Sequence, residues 1–212
     1  MSRGLGDVYK RQDIQGETYE YPEEFFVERV HNIRRPKPDD FQVKQAVEKI
    51  KNSKNPIIIS GGGVFYSNAM EELSSFAIKH NIPVTQTVMG YSSMKRDHSH
   101  FLGPIGGLGG KAANNLAKQT DLAIAIGTKL ADFTTGSWAN FENPEFKLIS
   151  INVSRFDANK HMASSVIGDA KVSLNELSQA LGNWKAPDAW HKKSVNELKS
   201  WNEYVDKESG PT

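Results

Sequence analysis

The feature that most constrains this chain is a set of short apolar runs that do not alternate with polar residues. "PIIIS" at Pro56–Ser60, "DLAIAIGT" at Asp121–Thr128 and "FKLISINV" at Phe146–Val153 are apolar or small at most positions. A strand with one wet face shows a polar residue at every second place. An unbroken run predicts a strand covered on both faces, as in a parallel sheet held between two layers of helices. "IPVTQT" (Ile82–Thr87) and "SSVIGD" (Ser164–Asp169) read as further strands.

Between these runs the period changes. In "FQVKQAVEKIKNS", Phe41, Val43, Ala46, Val47 and Ile50 recur at helical spacing, with Asp39 or Asp40 as the cap and Lys51 to Lys54 near the negative end. A helix opening at Ser67 or Asn68 turns Met70, Leu73, Phe76, Ala77 and Ile78 inward. "KAANNLAKQT" is helical, and so is "AKVSLNELSQALGNW", with Val172, Leu174, Leu177 and Leu181 inward. Strands alternating with helices of this length predict an α/β fold, a Rossmann-like doubly wound parallel sheet with right-handed crossovers.

Pro22, Pro36 and Pro38 break any long helix in 13–38, which reads as an extended connector wrapping onto the domain. Residues 1–12 are polar and unpatterned and read as a non-native flank. Residues 39–184 form the sheet domain, and 185–212 a helix and linker whose Trp190 and Trp201 need a partner surface. With 212 residues, a net charge of +1 and no cysteine, the chain has room for one domain with extensions. Disulfide frameworks and thiolate chemistry are excluded, and the composition suits the cytoplasm. There is no basic bias for nucleic acid and no apolar run of about 20 residues for a membrane.

Two glycine clusters invite a phosphate. In "GGGVFYSN", Gly61 and Gly63 match the first two glycines of a dinucleotide fingerprint, but Tyr66 stands in the third place. The glycines serve either a sharp turn or an anion at the following helix start, and the turn is favoured. In "LGPIGGLGGKAANNL", Ala112 replaces the hydroxyl that a Walker loop needs after Lys111, so the cluster reads as a flexible loop ending at a helix start, able to approach a neighbouring domain or cofactor closely. "GTKLADFTTGSWANF" follows the best strand and clusters Thr128, Asp132, Thr134, Thr135 and Ser137 where ligands of open sheets sit. His98 and His100 read as solvated loop histidines. Asp157 and His161, four apart, read as a hydrogen-bonded pair or cap on one helix face. Nothing forms a self-sufficient active site, so no catalytic residue and no metal ligand is assigned.

Taken in order, "KNPIIISGGGV", "FAIKHNIPVTQTVMG", "HSHFLGPIGGLGGKAANNLAKQTDLAIAIGTKLADFTTG" and "VIGDAKVSLNEL" resemble the central domain of thiamine-diphosphate-dependent enzymes. Within the family, "DIQGETYEYPEEFF", "DFTTGSW" and "INVSRFDANKH" are most similar to its ring-opening hydrolases of inositol catabolism, while "KLADFTTGSW" departs from the Arg-Phe-Asp-Asp pattern of the synthases. The resemblance implies cleavage of a carbon–carbon bond in a cyclic dione, a small-molecule substrate. Thiamine diphosphate and magnesium would be held by missing N- and C-terminal domains of a homo-oligomer. Gly168-Asp169-Ala170 is not the Gly-Asp-Gly metal motif, so this span is expected to be silent alone. The alternatives are an acetolactate-synthase-like or decarboxylase domain binding FAD or an adenine nucleotide, and a non-catalytic nucleotide-binding module. By position, the nucleotide contacts would be Gly61, Gly62, Gly63, Gly127 and Thr128.

Overall fold

The computed structural model describes residues 16–210, so the expectation for residues 1–12 lies outside the described residues. The elements run α1 (Asp40–Lys51), β1 (Pro56–Ser60), α2 (Gly62–Tyr66), α3 (Met70–His80), β2 (Val84–Gln86), β3 (Phe101–Pro104), α4 (Lys111–Ala117), β4 (Leu122–Ile126), α5 (Asp132–Thr135), β5 (Lys147–Asn152), α6 (Arg155–Ala158), β6 (Ser164–Ile167), α7 (Ala170–Leu181) and α8 (Asp188–Ser209). The strands form one sheet in the order β3-β2-β1-β4-β5-β6, and every pairing is parallel. This is the doubly wound α/β fold that the apolar runs predict.

The runs behave as fully covered strands should. β1 and β4 are buried at every position, and Ile58 sits between Val84 and Ile124, with Ile149 beyond. Alternate side chains enter two cores. Ile58, Ile124 and Ile149 meet α1, α3 and α7, whereas Ile57, Ile59, Ala123 and Ala125 meet α4 and α8. α1 begins as read, with the Asp39 carboxylate accepting from the Phe41 N–H at 2.9 Å, and ends on Lys49 and Lys51. Two inward assignments fail. Phe41 is exposed because nine residues at 100° each place it opposite the buried Ile50. Ile78 is exposed because Leu73, Phe76, Ala77 and His80 define the buried stripe beside it. Val172 is half-buried, since Ser173 takes the inner place beside Leu174 and Leu177.

β3 lies in what reads as a glycine-rich loop. It is four residues long, holds Gly103 at φ +95° and pairs with β2 across a register shift, so no apolar run announces it. At the other edge, the stretch after Arg34 is tied down. The Pro36 carbonyl accepts from the Asp169 N–H at 2.8 Å, and Arg35 pairs with the Asp169 carboxylate at 3.1 Å. The compact unit therefore begins at Arg35, and 16–34 belongs to a separate unit. That segment carries a 3-10 turn at Glu23–Phe26, where the Tyr21 ring centroid is 4.9 Å from that of Phe25.

The partner surface that Trp190 and Trp201 need is supplied by the sheet domain itself, so they are not exposed docking residues. α8 folds back over α4 and β3. Trp190 is 4% exposed and donates its indole N–H to the Pro56 carbonyl at 2.8 Å, at the start of β1. Trp201 lies half-buried against Gly110, where a Cβ would come within 2.8 Å of its Nε1, and Trp184 packs on the opposite core. The buried stripe runs through Ser194 instead of the exposed Val195. Replacing Trp190→Ala removes a buried ring and orphans a carbonyl. It is expected to cost about 3–5 kcal/mol in urea unfolding, against less than about 1 kcal/mol for Val195→Ala.

Candidate functional site

In an all-parallel sheet, every strand ends at the same edge, and ligands of open α/β sheets sit there at the point where strand order reverses. Here that point lies between β1 and β4. The five residues singled out in the sequence, Gly61, Gly62, Gly63, Gly127 and Thr128, do come together at it. Gly61 N–H donates to Ile126 O at 2.8 Å and Gly63 N–H to Gly127 O at 2.9 Å. Gly127 N–H in turn donates to Ile151 O at 2.9 Å, and Thr128 Oγ1 accepts from Leu130 N–H at 3.2 Å.

The backbones approach too closely for side chains. A Cβ on Gly63 would lie 2.6 Å from Gly127 Cα, and one on Gly61 would lie 2.4 Å from Gly127 O. Gly127 also holds φ +60°, a left-handed conformation costly for other residues. On the other flank, a Cβ on Gly90 would lie 2.2 Å from Ser60 O, and the buried Ser60 hydroxyl is 2.6 Å from that of Ser93. The end of β1 is thus gripped from both sides by backbone. Sequence reading missed Gly90, whose only signal was its place just past β2.

The second glycine cluster also packs against its own chain. Gly106, at φ +100°, would place a Cβ 2.0 Å from Phe133 O, and Gly107 N–H donates to that carbonyl at 2.7 Å. Asn114 on α4 accepts from Gly106 N–H at 2.9 Å and donates to Gly106 O at 3.0 Å. Among the described residues, this loop approaches α5 of its own domain. The polar group after β4 forms a turn there: Thr134 and Thr135 are buried, and Thr135 Oγ1 accepts from Trp138 N–H.

The carboxylates are committed as well. Asp169 Oδ1 accepts from the N–H groups of Lys171 and Val172 at the start of α7, and Oδ2 accepts from Arg35 and Ser67. Asp121 accepts from the N–H groups of Lys54 and Asn55. The Asp157–His161 pairing is not formed. α6 ends at Ala158 and His161 lies beyond it at φ +60°, its ring 4.6 Å from that of Trp138. Asp157 bonds Lys160 at 2.8 Å instead, which holds its pKa below the usual carboxylate value. Among the described residues, no group of three or more His, Asp or Glu side chains could hold a metal ion. Asp169 and Asp121 already serve as a helix cap and a loop acceptor, so these two do not fit as ligands of the magnesium that accompanies thiamine diphosphate.

His98 is half-buried and His100 is buried, so the reading as solvated loop histidines fails for His100. His100 is 8% exposed, and the ring of His191 from α8 lies 4.0 Å away. Neutral rings of His98 and His100 fit the bonds they make. His98 Nδ1 accepts from His100 N–H, and His100 Nε2 faces Asn81 Oδ1 at 3.3 Å. Burial, with His191 and His98 adding, pushes the His100 pKa down to about 4. Burial also lowers His80, whose Nδ1 donates to Trp184 O.

Comparison with known proteins agrees with this architecture. The model of the family "Thiamine pyrophosphate enzyme, central domain" matches residues 43–177, and the chain belongs to that family. An X-ray structure from Mycobacterium smegmatis, described as a thiamin diphosphate-dependent enzyme, superposes with TM-score 0.59 at 20% identity. The match covers 74% of this chain and 30% of that one, and it supports the fold. Among curated relatives, the 3D-(3,5/4)-trihydroxycyclohexane-1,2-dione hydrolase of Clostridium perfringens strain 13 is 46% identical over 192 residues, 91% of this chain and 30% of the relative. That of Clostridium tetani is 43% identical over 94% of this chain and 32% of its own, and that of Geobacillus thermodenitrificans 41% over 92% and 30%. The chain thus spans about a third of the length of the curated relatives it matches.

Two outcomes follow. Gly63→Ala must push backbone against backbone at Gly127, and it is expected to lower unfolding free energy by about 1–3 kcal/mol in urea titrations. The folded pKa of His100 lies below the unfolded value of about 6.5. Its contribution to stability is therefore complete above that value and lost as pH falls toward about 4. Unfolding free energy should drop over that window by up to about 3 kcal/mol, and His100→Gln should flatten the dependence.

Proposed function

We propose that this chain is the central-domain portion of a thiamine-diphosphate-dependent hydrolase that opens the ring of trihydroxycyclohexane-1,2-dione by breaking a carbon–carbon bond. The observation that carries this is the 41–46% identity to hydrolases of that name across nearly the whole chain. When bound, the cofactor would supply the electron sink for that cleavage. In this proposal it and magnesium are held by portions of the enzyme on either side, in a cytoplasmic pathway of inositol breakdown. What this chain contributes is a rigid sheet, with its ends locked by glycine contacts and its carboxylates tied into caps. We take Gly61, Gly62, Gly63, Gly127 and Thr128 to form a backbone crossing and not a nucleotide cradle. Support comes from the amides of Gly61, Gly63 and Gly127, which donate to backbone carbonyls.

The test is ring opening of the dione with thiamine diphosphate and magnesium supplied. This chain alone is expected to show no turnover. A chimera carrying residues 16–210 in place of the matching span of the C. perfringens hydrolase is expected to keep activity within about tenfold of that enzyme. A folded chimera that binds thiamine diphosphate but turns over pyruvate and not the dione would overturn the assignment.

A further inference from the structure

Most of the exposed large apolar side chains beyond Arg35 lie along one edge. Phe65 and Tyr66 follow β1, Val88, Met89 and Tyr91 follow β2, Leu108 follows β3, Phe133 follows β4, and Val153 and Phe156 follow β5. Exposure is high where it matters: Tyr66 73%, Met89 73%, Tyr91 76%, Leu108 69%, Phe133 70% and Phe156 76%. They are held in place and not merely trailing. A Cβ on Gly62 would touch both Met89 Cβ and Tyr66 Cε2 at 3.6 Å, so these two flank one glycine. Phe133 is anchored through its carbonyl to Gly107 N–H. Asp169 and Asp121 are bonded within the domain, and this edge is the largest exposed apolar feature among the described residues.

We propose that the carboxyl-terminal edge of the sheet is the docking face for the flanking portions of the enzyme, and that Tyr66, Met89, Tyr91, Leu108, Phe133 and Phe156 anchor it. The proposal rests on the functional reading above. Three arguments favour this occupant. The relatives extend over about three times the span matched here, and the matching family model describes a central domain, which implies chain on both sides. Large apolar patches on a single domain mark places that a partner covers. Aromatic side chains bury roughly 150–250 Å² each, so the four aromatic anchors alone supply area within the 600–1,500 Å² typical of contacts between domains of one chain. Glycines in the same loops keep the backbone low, so the anchors stand above it.

The experiment compares this chain with the chimera described above. Hydrogen–deuterium exchange of 64–66, 88–91, 106–108 and 132–135 is expected to slow at least tenfold in the chimera. The double substitution Met89→Asp and Phe133→Asp is expected to leave the isolated chain's melting temperature within about 2 °C and to lower that of the chimera by more than 5 °C. Equal exchange in the two proteins overturns the proposal. So does concentration-dependent dimerisation of the isolated chain that the double substitution abolishes, because a second copy would then be the occupant. If the chimera does not fold, the same two substitutions go at the matching positions of the C. perfringens hydrolase, and an unchanged melting temperature there overturns the proposal. A chimera that opens the dione ring while these loops stay unprotected refutes the docking face and leaves the functional reading standing. Protected loops in a chimera inactive on the dione do the reverse.

Discussion

The close crossing of two backbones governs this structure. The loop leaving β1 and the loop leaving β4 meet with Gly63 against Gly127, at a separation no side chain tolerates. The same contact supplies two hydrogen bonds, from Gly61 and Gly63 to the end of β4. It sits where the sheet reverses its winding, the place at which an open α/β sheet would otherwise leave a crevice. Closing that crevice with peptide groups satisfies polar backbone that burial would make costly. It also fixes the direction in which α2 and α5 depart, and with them the apolar residues on the edge.

The chemistry of the domain follows from what that crossing leaves over. Anion binding needs free amides, and metal binding needs free carboxylates. The amides of Gly61, Gly63 and Gly127 are spent on backbone carbonyls, and Asp169 and Asp121 are spent on helix starts and loops. In the proposed reading, such a domain stiffens and positions. This agrees with its membership in the thiamine pyrophosphate enzyme family as a central domain, and with the third of the relatives' length that it spans.

Much of the fold was legible because it rests on local pattern. β1, β4 and β5 announce themselves as unbroken apolar runs, and α1 and α7 by their caps and stripes. β3 was not legible, because a four-residue edge strand containing glycine and ending in proline carries no period. The burial of His100 could not be read either, since the ring that covers it, His191, lies on a helix far along the chain. Asp157 and His161 misled through spacing alone: a four-residue offset means one face only where the helix continues, and α6 stops at Ala158. The glycine set of the site was legible as a set. Its use was not, because the same residues can serve a phosphate or a crossing backbone, and the sequence does not show how closely Gly127 stands to Gly63.

The most direct measurement is amide exchange, residue by residue, followed by NMR on the 212-residue chain. If Gly61, Gly63 and Gly127 form a packed crossing, their amides exchange with the slowest class, together with those of Ile124 and Ile126 in β4. Exchange at the rate of an exposed loop residue such as Lys129 would mean that these donors are free, and the account of the glycines as architecture would be contradicted.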